Sequence, residues 1–216
     1  HTPIRRQRQM CIRDRFNKLD KSIVKRIAVD PMQLNCWGVT FVAPNLRELS
    51  IPFKVNYKDN KERLQAPGFI SKRIDFDNFL VTETKKYPEV QLIENCEINR
   101  FDFNGDHYHL QSKDGQTSIS AKIVIAADGA HSAFAKKVGK MQVEKKHYCG
   151  AIRAYYKNVA GINEDNYLEL HFLKDFLPGY FWIFPLPNGG ANVGLGMRSD
   201  HISKGKINLK LSLIHI

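Results

Sequence analysis

One segment of the chain combines residue types that suit a phosphorylated ligand. Asp128 and Gly129 follow an apolar run, residues 123–127, and precede Ser132. The run is short and β-branched, so we predict a buried parallel strand that delivers Asp128 to the carboxyl edge of a sheet, where open α/β sheets bind ligands. Gly129 lets the backbone approach a ligand closely, and the start of the following helix favours phosphate. A plain turn in which Ser132 caps the helix is the alternative, and the residue types alone leave the two equal.

A second segment alternates aromatic residues with others. If residues 180–184 form a strand, then Tyr180, Trp182 and Phe184 share one of its faces. They would form a wall for a long apolar or planar ligand. Gly194 and Gly196, in the next predicted strand, would leave room for that ligand. Packing in the core of a β-sandwich is the alternative, and it is the commoner use of such a stripe.

A third candidate is Arg73, which precedes a predicted helix in which Asp75 or Asp77 can serve as the N-cap. A surface arginine beside a cap is the plainer interpretation. The eight histidines lack metal-ligand spacing and the four cysteines include no Cys-x-x-Cys pair, so we predict no metal site. The dispersed thiols suit a reducing cytoplasm.

The elements that must position these residues follow from the periodicity of the sequence. Helical spacing of apolar residues predicts helices over residues 16–29 and 74–86, and the Asn-Gly-Asp sequence at 104–106 predicts a hairpin. Turns containing proline and glycine bound the strands that we predict in the last third of the chain, over residues 150–156, 167–172, 180–184 and 191–197. We therefore predict an α+β fold with one buried parallel strand and a larger antiparallel sheet.

Composition excludes several classes of protein. The chain has 216 residues, of which 43% are hydrophobic and 25% charged, as in globular proteins. No stretch of 18 apolar residues occurs, so we predict no transmembrane segment. The net charge of +11 permits a nucleic-acid partner, but residues 1–15 alone hold five arginines. Beyond them, 28 basic residues face 21 acidic ones and are mostly scattered lysines. We therefore predict no nucleic-acid partner.

The two ends look foreign to the rest of the chain. The sequence from Arg8 to Arg15 and that from Leu211 to Ile216 resemble translated sequencing adapters. We therefore expect residues 1–15 and 211–216 to be artefactual tails and keep them out of the fold prediction. A natural basic tail and a natural apolar C-terminus are the alternative.

Taken in order, the three candidate segments resemble the flavoprotein family that includes geranylgeranyl reductases, within the p-hydroxybenzoate-hydroxylase-like superfamily. The resemblance covers nearly all of residues 16–210. The segment from Ile125 to Ser132 resembles the Asp-Gly motif of the superfamily. The two other matching patterns are Arg73-x-x-Phe76-Asp77-x-x-Leu80 and, most specific, Tyr180-x-Trp182-x-Phe184-Pro185 followed after eight residues by Gly194-x-Gly196.

The resemblance implies an α/β flavoprotein architecture. An incomplete FAD-binding Rossmann-like domain, residues 16–35 and 66–146, would hold an inserted antiparallel-sheet substrate domain, residues 36–65 and 147–210. It further implies FAD as the cofactor, NADPH or NADH as the electron donor, and reduction of the carbon–carbon double bonds of a prenyl chain. Asp128, Gly129 and Arg73 would contact the cofactor. The residues implied to bind the substrate are Tyr180, Trp182, Phe184, Pro185, Gly194 and Gly196, and none of these is a convincing general acid.

The sequence departs from the family in three places. It contains neither the Gly-x-Gly-x-x-Gly phosphate loop, nor the later Gly-Asp motif, nor the cysteine-bearing loop of the family. Cys36 matches no motif and is not given that cysteine's role. We therefore expect a fragment that lacks both termini and by itself holds FAD weakly.

Two other functions stay open. The resemblance also admits an FAD-dependent monooxygenase on the same fold, acting on an aromatic or quinone substrate, because such enzymes share the Asp-Gly motif. The net charge leaves open a non-enzymatic basic binding module. For the main interpretation we expect a prenyl-chain or other apolar small molecule as the partner. We also expect a cytoplasmic location, with peripheral contact to a membrane as an open option.

Overall fold

The structure is a computed structural model that describes residues 16, 18–53, 66–129, 131–142 and 144–215. The predicted N-terminal tail, residues 1–15, lies outside the described residues, as does the stretch 54–65 of the predicted substrate domain. The chain divides into two compact units, the first formed by residues 1–80 and 148–216 and the second by residues 81–147. The division into a cofactor part and a substrate part, and the artefactual nature of both ends, stay predictions.

Runs of three or four consecutive strands are separated by single helices, as is typical of an α+β protein, which confirms the predicted fold class. In chain order they are α1 (Lys21–Val29), β1 (Gln33–Cys36), β2 (Gly38–Val42), β3 (Glu48–Pro52), β4 (Gly68–Ser71), α2 (Arg73–Thr84), β5 (Ile98–Phe103), β6 (Tyr108–Ser112), β7 (Ser118–Ala121), α3 (Ala133–Lys137), β8 (Cys149–Tyr156), β9 (Leu168–His171), β10 (Tyr180–Leu186), β11 (Gly190–Arg198), α4 (Ser199–Gly205) and α5 (Leu209–His215).

A six-stranded sheet forms the framework of the first unit, in the order β3-β2-β9-β10-β11-β8. Neighbouring strands are antiparallel except for β2 and β9, which run parallel. The hairpin between β10 and β11 reverses at Asn188 and Gly189, whose φ angles are 61° and 66°. Asn and Gly are the residues that tolerate this left-handed conformation best. The predicted strands of the last third of the chain are therefore confirmed. A separate pair, β1 and β4, belongs to the same unit.

One part of the core of the first unit lies on one face of this sheet. Leu195 and Met197 of β11 are buried there. Gly150, which pairs with Met197, contacts the side chains of Ile202 in α4 and Leu209 in α5. The two C-terminal helices thus cover this face, and Tyr180, Trp182 and Phe184 lie on the other one.

Helix α1 begins at a built-in cap. The Asp20 carboxylate accepts hydrogen bonds from the backbone N–H of Ser22 at 2.8 Å and from its hydroxyl at 2.6 Å. Such a cap satisfies N–H groups that have no partner in the first turn of a helix. Val24 and Ile27, at helical spacing, are the buried side chains of α1.

The second unit contains an antiparallel sheet of three strands, β5-β6-β7. The predicted hairpin is confirmed: the Asn104 side chain accepts hydrogen bonds from the N–H groups of Asp106 and His107 at 3.0 and 2.8 Å. Phe134 of α3 packs edge-on against Phe101 of β5, with the ring centroids 5.2 Å apart.

The buried parallel strand predicted over residues 123–127 is wrong for the described part of the chain. These residues form no strand, and the side chains of Ile123 and Ile125 are 81% and 87% exposed. Strands of this composition are stable when neighbours pair with both edges and helices cover both faces. No described strand pairs with residues 123–127, so the local preference for extended backbone does not produce a strand here.

Candidate functional site

Aromatic rings line the open face of the six-stranded sheet. Tyr180, Trp182 and Phe184 share one face of β10 as predicted, with neighbouring ring centroids 5.9 and 6.0 Å apart. Phe172, which follows β9, lies 6.3 Å from Tyr180 and stacks at 6.3 Å on Phe41 of β2. We call these five rings the aromatic wall. Tyr180 is 41% exposed, so the wall can contact a ligand and is not only core.

The two glycines of β11 have a different role from the one predicted. A Cβ atom on Gly194 would collide with the indole of Trp182, and one on Gly196 would lie 3.4 Å from the same ring. The indole therefore lies across both glycines and fills the space that the sequence analysis assigned to a ligand. Its Nε1 donates a hydrogen bond to Asn192 Oδ1 at 3.4 Å. Gly194 and Gly196 thus position Trp182. Pro185 is buried farther along the hairpin, where it pairs with Ala191.

The wall ends at a cavity of about 600 Å³, lined in part by Phe184. That volume is in the range of sites for small molecules. Strands β1 and β4, helix α1 and the first turn of α2 contribute its other walls. Besides Phe184, the phenylalanines that line it are Phe16, Phe53, Phe69 and Phe76. The sequence analysis missed this cavity, because its residues are dispersed along the chain and follow no pattern.

A few polar groups border this apolar cavity. The Nε2 of Gln33 is buried, and no acceptor for it exists among the described residues. Arg73 also lines the cavity, but its side chain is 69% exposed and its Nε donates to Asp77 Oδ1 at 2.6 Å. An unpaired buried donor is costly, so Gln33 is suited to a ligand that carries an acceptor atom.

Asp128 and Gly129 lie in the second unit and are exposed. The hydroxyl of Ser132 holds the pKa of the Asp128 carboxyl below its ordinary value by hydrogen bonding to the charged form. Ser132 is buried, and its Oγ also accepts the backbone N–H of Ala135 at 3.0 Å, which caps α3. The helix cap that belonged to the plain-turn alternative is therefore present, and the same side chain stabilises the ionised form of Asp128.

Gly129 has a φ of +86°, and nothing lies within 4 Å of the position that a Cβ would occupy. The backbone conformation, not packing, is what favours glycine here. The open space beside an ionised carboxylate can admit a hydroxyl donor such as a ribose.

Other chemistries find little support in the described part of the chain. No group of three His, Cys, Asp or Glu side chains there could hold a metal ion. Cys36 is buried, and burial raises the pKa of its thiol, which keeps it protonated. No described helix is both long and apolar enough to cross a bilayer.

Comparison with known proteins adds to this geometry. The sequence model of the geranylgeranyl reductase catalytic domain matches residues 148–213, which carry the aromatic wall. Over 167 residues, the chain is 34% identical to digeranylgeranylglycerophospholipid reductase 1 of Methanosphaera stadtmanae, a match that covers 76% of this chain and 39% of that protein. The reductase 1 of Methanopyrus kandleri is 32% identical over 152 residues, which cover 68% of this chain and 40% of that protein.

Solved structures show the same fold. A geranylgeranyl bacteriochlorophyll reductase-like protein of Thermoplasma acidophilum superimposes with a TM-score of 0.62 over 89% of this chain and 48% of its own, at 20% identity. The HpxO protein of Klebsiella pneumoniae, complexed with FAD and uric acid, superimposes with a TM-score of 0.52 over 82% and 45%, at 16% identity.

The chain spans about two fifths of the length of these two curated relatives. Its likeness to them extends beyond the matched catalytic domain, since the aligned share is 68% of the chain or more. The chain therefore belongs to the geranylgeranyl reductase family.

Proposed function

We propose that this chain is part of an FAD-dependent reductase that saturates carbon–carbon double bonds in a prenyl chain. The aromatic wall and the cavity at its end would hold the prenyl chain. The observation that carries the proposal is the cavity of about 600 Å³ lined by five phenylalanine rings, which continues the wall through Phe184. The relatives act, by their names, on digeranylgeranylglycerophospholipids, whose long apolar chains suit such a surface.

The residues fit an FAD cofactor in several respects. Asp128 stays ionised and exposed beside the open space at Gly129, as a carboxylate that accepts ribose hydroxyls requires. Separately, in the first unit, the buried Nε2 of Gln33 has no acceptor among the described residues and Arg73 lines the same cavity, so both are suited to acceptor atoms of a ligand bound there. Bound FAD, once reduced by NADPH or NADH, supplies the hydride.

The contribution of the polypeptide itself would be to bind and orient the prenyl chain and to exclude water from it. Apolar contacts with Tyr180, Trp182 and Phe184 would keep a double bond in place, and the cavity would hold the part of the chain beyond it. Excluding water strengthens polar interactions inside the site. We assign no side chain as proton donor.

The reductases among the relatives support this proposal over an FAD-dependent monooxygenase. Contact with a membrane surface belongs to the same proposal, because a glycerophospholipid substrate resides in a bilayer. Leu49 and Ile51 on the edge strand β3 are 60% and 43% exposed, and they support such a contact.

A binding experiment tests the proposal. Geranylgeraniol should bind the protein and change the fluorescence of Trp182, and Leu168→Trp should weaken binding at least tenfold because Leu168 lines the cavity next to Phe184. A larger ring there fills space that the ligand needs. The melting temperature checks that the variant folds. No binding of geranylgeraniol by the wild type, or normal binding by a folded variant, contradicts the proposed site. Reduction is then followed by mass, as two hydrogen atoms gained for each double bond in the presence of FAD and NADPH.

A further inference from the structure

Two cations meet at one tyrosine on the edge of the six-stranded sheet. The guanidinium of Arg153, in β8, lies 5.6 Å from the ring centroid of Tyr155, and the Nζ of Lys72 lies 5.9 Å from the same centroid. Lys72 directly precedes α2, and β8 is an edge strand. We call these three residues the cationic edge.

The cations of this edge have no counter-ion among the described residues. No described carboxylate lies within 4.0 Å of the charged atoms of Lys72 or Arg153, whereas the neighbouring Arg73 pairs with Asp77. All three side chains of the cationic edge are exposed. Two positive charges thus lie at one ring, and no described carboxylate pairs with either of them. Their hydrogen-bond donors are therefore available to an anion.

The cationic edge lies on the same face as the aromatic wall. Arg153 pairs in register with Gly194, and Gly194 pairs with Trp182. Tyr155 likewise pairs with Asn192, which accepts the indole hydrogen bond of Trp182. Residues paired across neighbouring strands point to the same face of a sheet. Because one strand separates β8 from β10, the two rows are about 10 Å apart.

On the intervening strand β11, Gly194 has no side chain and is covered by the indole of Trp182, and Asn192 accepts the hydrogen bond of that indole. The face therefore presents an apolar surface and, one strand away, a positively charged rim. This is the arrangement that an amphiphile with an anionic head and an apolar tail requires.

We propose that Lys72 and Arg153, with the Tyr155 hydroxyl, bind the phosphate of a prenyl lipid whose chain lies on the aromatic wall. The inference rests on the proposed function and adds to it a charged head group as a determinant of substrate choice. A glycerol unit and the first carbons of the chain can span the distance between the two rows. Phosphate is also carried by FAD and NADPH, so the test must separate the two sources.

Two ligands with the same tail isolate the head group. Geranylgeranyl phosphate and geranylgeraniol are titrated against the protein at low and high salt. We expect the phosphate to bind more tightly at low salt and to lose that advantage at high salt, because the ion pairs are exposed. Arg153→Gln and Lys72→Gln should each weaken binding of the phosphate about tenfold and leave binding of the alcohol unchanged.

Lys204→Gln is the matched control, since Lys204 is an exposed lysine of α4, which covers the other face. It removes one positive charge and should change neither affinity. Binding of FAD and of NADPH to the same variants is then measured alongside binding of the two prenyl ligands. Melting temperatures confirm that each variant is folded.

The outcomes are distinct. If the alcohol binds but the two variants bind the phosphate as tightly as the wild type, the cationic edge is not a head-group site. If the variants weaken FAD or NADPH and spare geranylgeranyl phosphate, the phosphate held there belongs to the dinucleotide and the lipid assignment is wrong. If the wild type binds neither prenyl compound, the proposed function itself fails.

Discussion

A single methyl group should distinguish the two glycines under the indole of Trp182. In Gly194→Ala the new Cβ would collide with the indole and lie 2.6 Å from the backbone oxygen of Ile152. In Gly196→Ala the nearest atoms lie 3.4 Å away, at ordinary van der Waals distance. The same substitution two residues apart on one strand therefore tests the packing of the aromatic wall.

Two contributions of opposite sign determine the expected change in the free energy of unfolding. Overpacking costs about 1–3 kcal/mol, and replacing glycine by alanine within a strand returns roughly 0.5–1 kcal/mol. The free energy of unfolding of Gly194→Ala should therefore fall by about 1–2 kcal/mol, whereas Gly196→Ala should be neutral or slightly more stable. For a chain of this length, 1 kcal/mol corresponds to roughly 2–4 °C in melting temperature.

The assay is thermal unfolding of both variants beside the wild type. Trp182→Phe in the Gly194→Ala background should recover part of the loss, because a smaller ring removes the collision with the indole but not the one with Ile152. Equal melting temperatures for the two alanine variants would refute the inferred packing of the indole over Gly194.

Three further predictions concern single side chains. Trp182→Ala should lower both the melting temperature and the affinity for geranylgeraniol, because the indole covers backbone and belongs to the wall; a variant unchanged in both would contradict its place there. Asp128→Asn should leave the melting temperature unchanged but weaken binding of FAD, measured by titration of flavin fluorescence; an unchanged affinity for FAD would mean that Asp128 is only part of a turn. Hydrogen bonds from Ser22 lower the pKa of Asp20 in the folded chain, so its ionised carboxyl stabilises the fold above the unfolded pKa of about 3.9. That contribution is lost as the pH falls through the depressed folded value, and the gap in melting temperature between wild type and Asp20→Asn should therefore be wider at pH 6 than at pH 3; a constant gap would show that the cap carries no charge-dependent stability.

Local signals in the sequence were sufficient for much of the fold. The Asn104 hairpin, the helix predicted over residues 74–86 and found at Arg73–Thr84, and the alternation that puts Tyr180 and Trp182 on one face are confirmed. Each depends on residues within one turn or one strand, where the backbone preferences of Gly and Asn and the period of two in a strand decide the outcome.

The same local reasoning was wrong for residues 123–127. Ile123 and Ile125 prefer an extended backbone, but a strand also needs partners to accept and donate its hydrogen bonds. No described segment provides them.

The sequence by itself determined which residues carry the family motifs, the alternation of β10 and the residues of the Asp128 turn. Only the tertiary structure placed the indole of Trp182 over Gly194 and gathered Lys72 and Arg153 around Tyr155. It also placed the Nε2 of Gln33 in an apolar cavity, where no described residue accepts its hydrogen bond. Lys72 and Tyr155 are far apart in the chain, and no periodicity links them. Contacts of this kind depend on strand order and on packing between elements, which local backbone preferences do not encode.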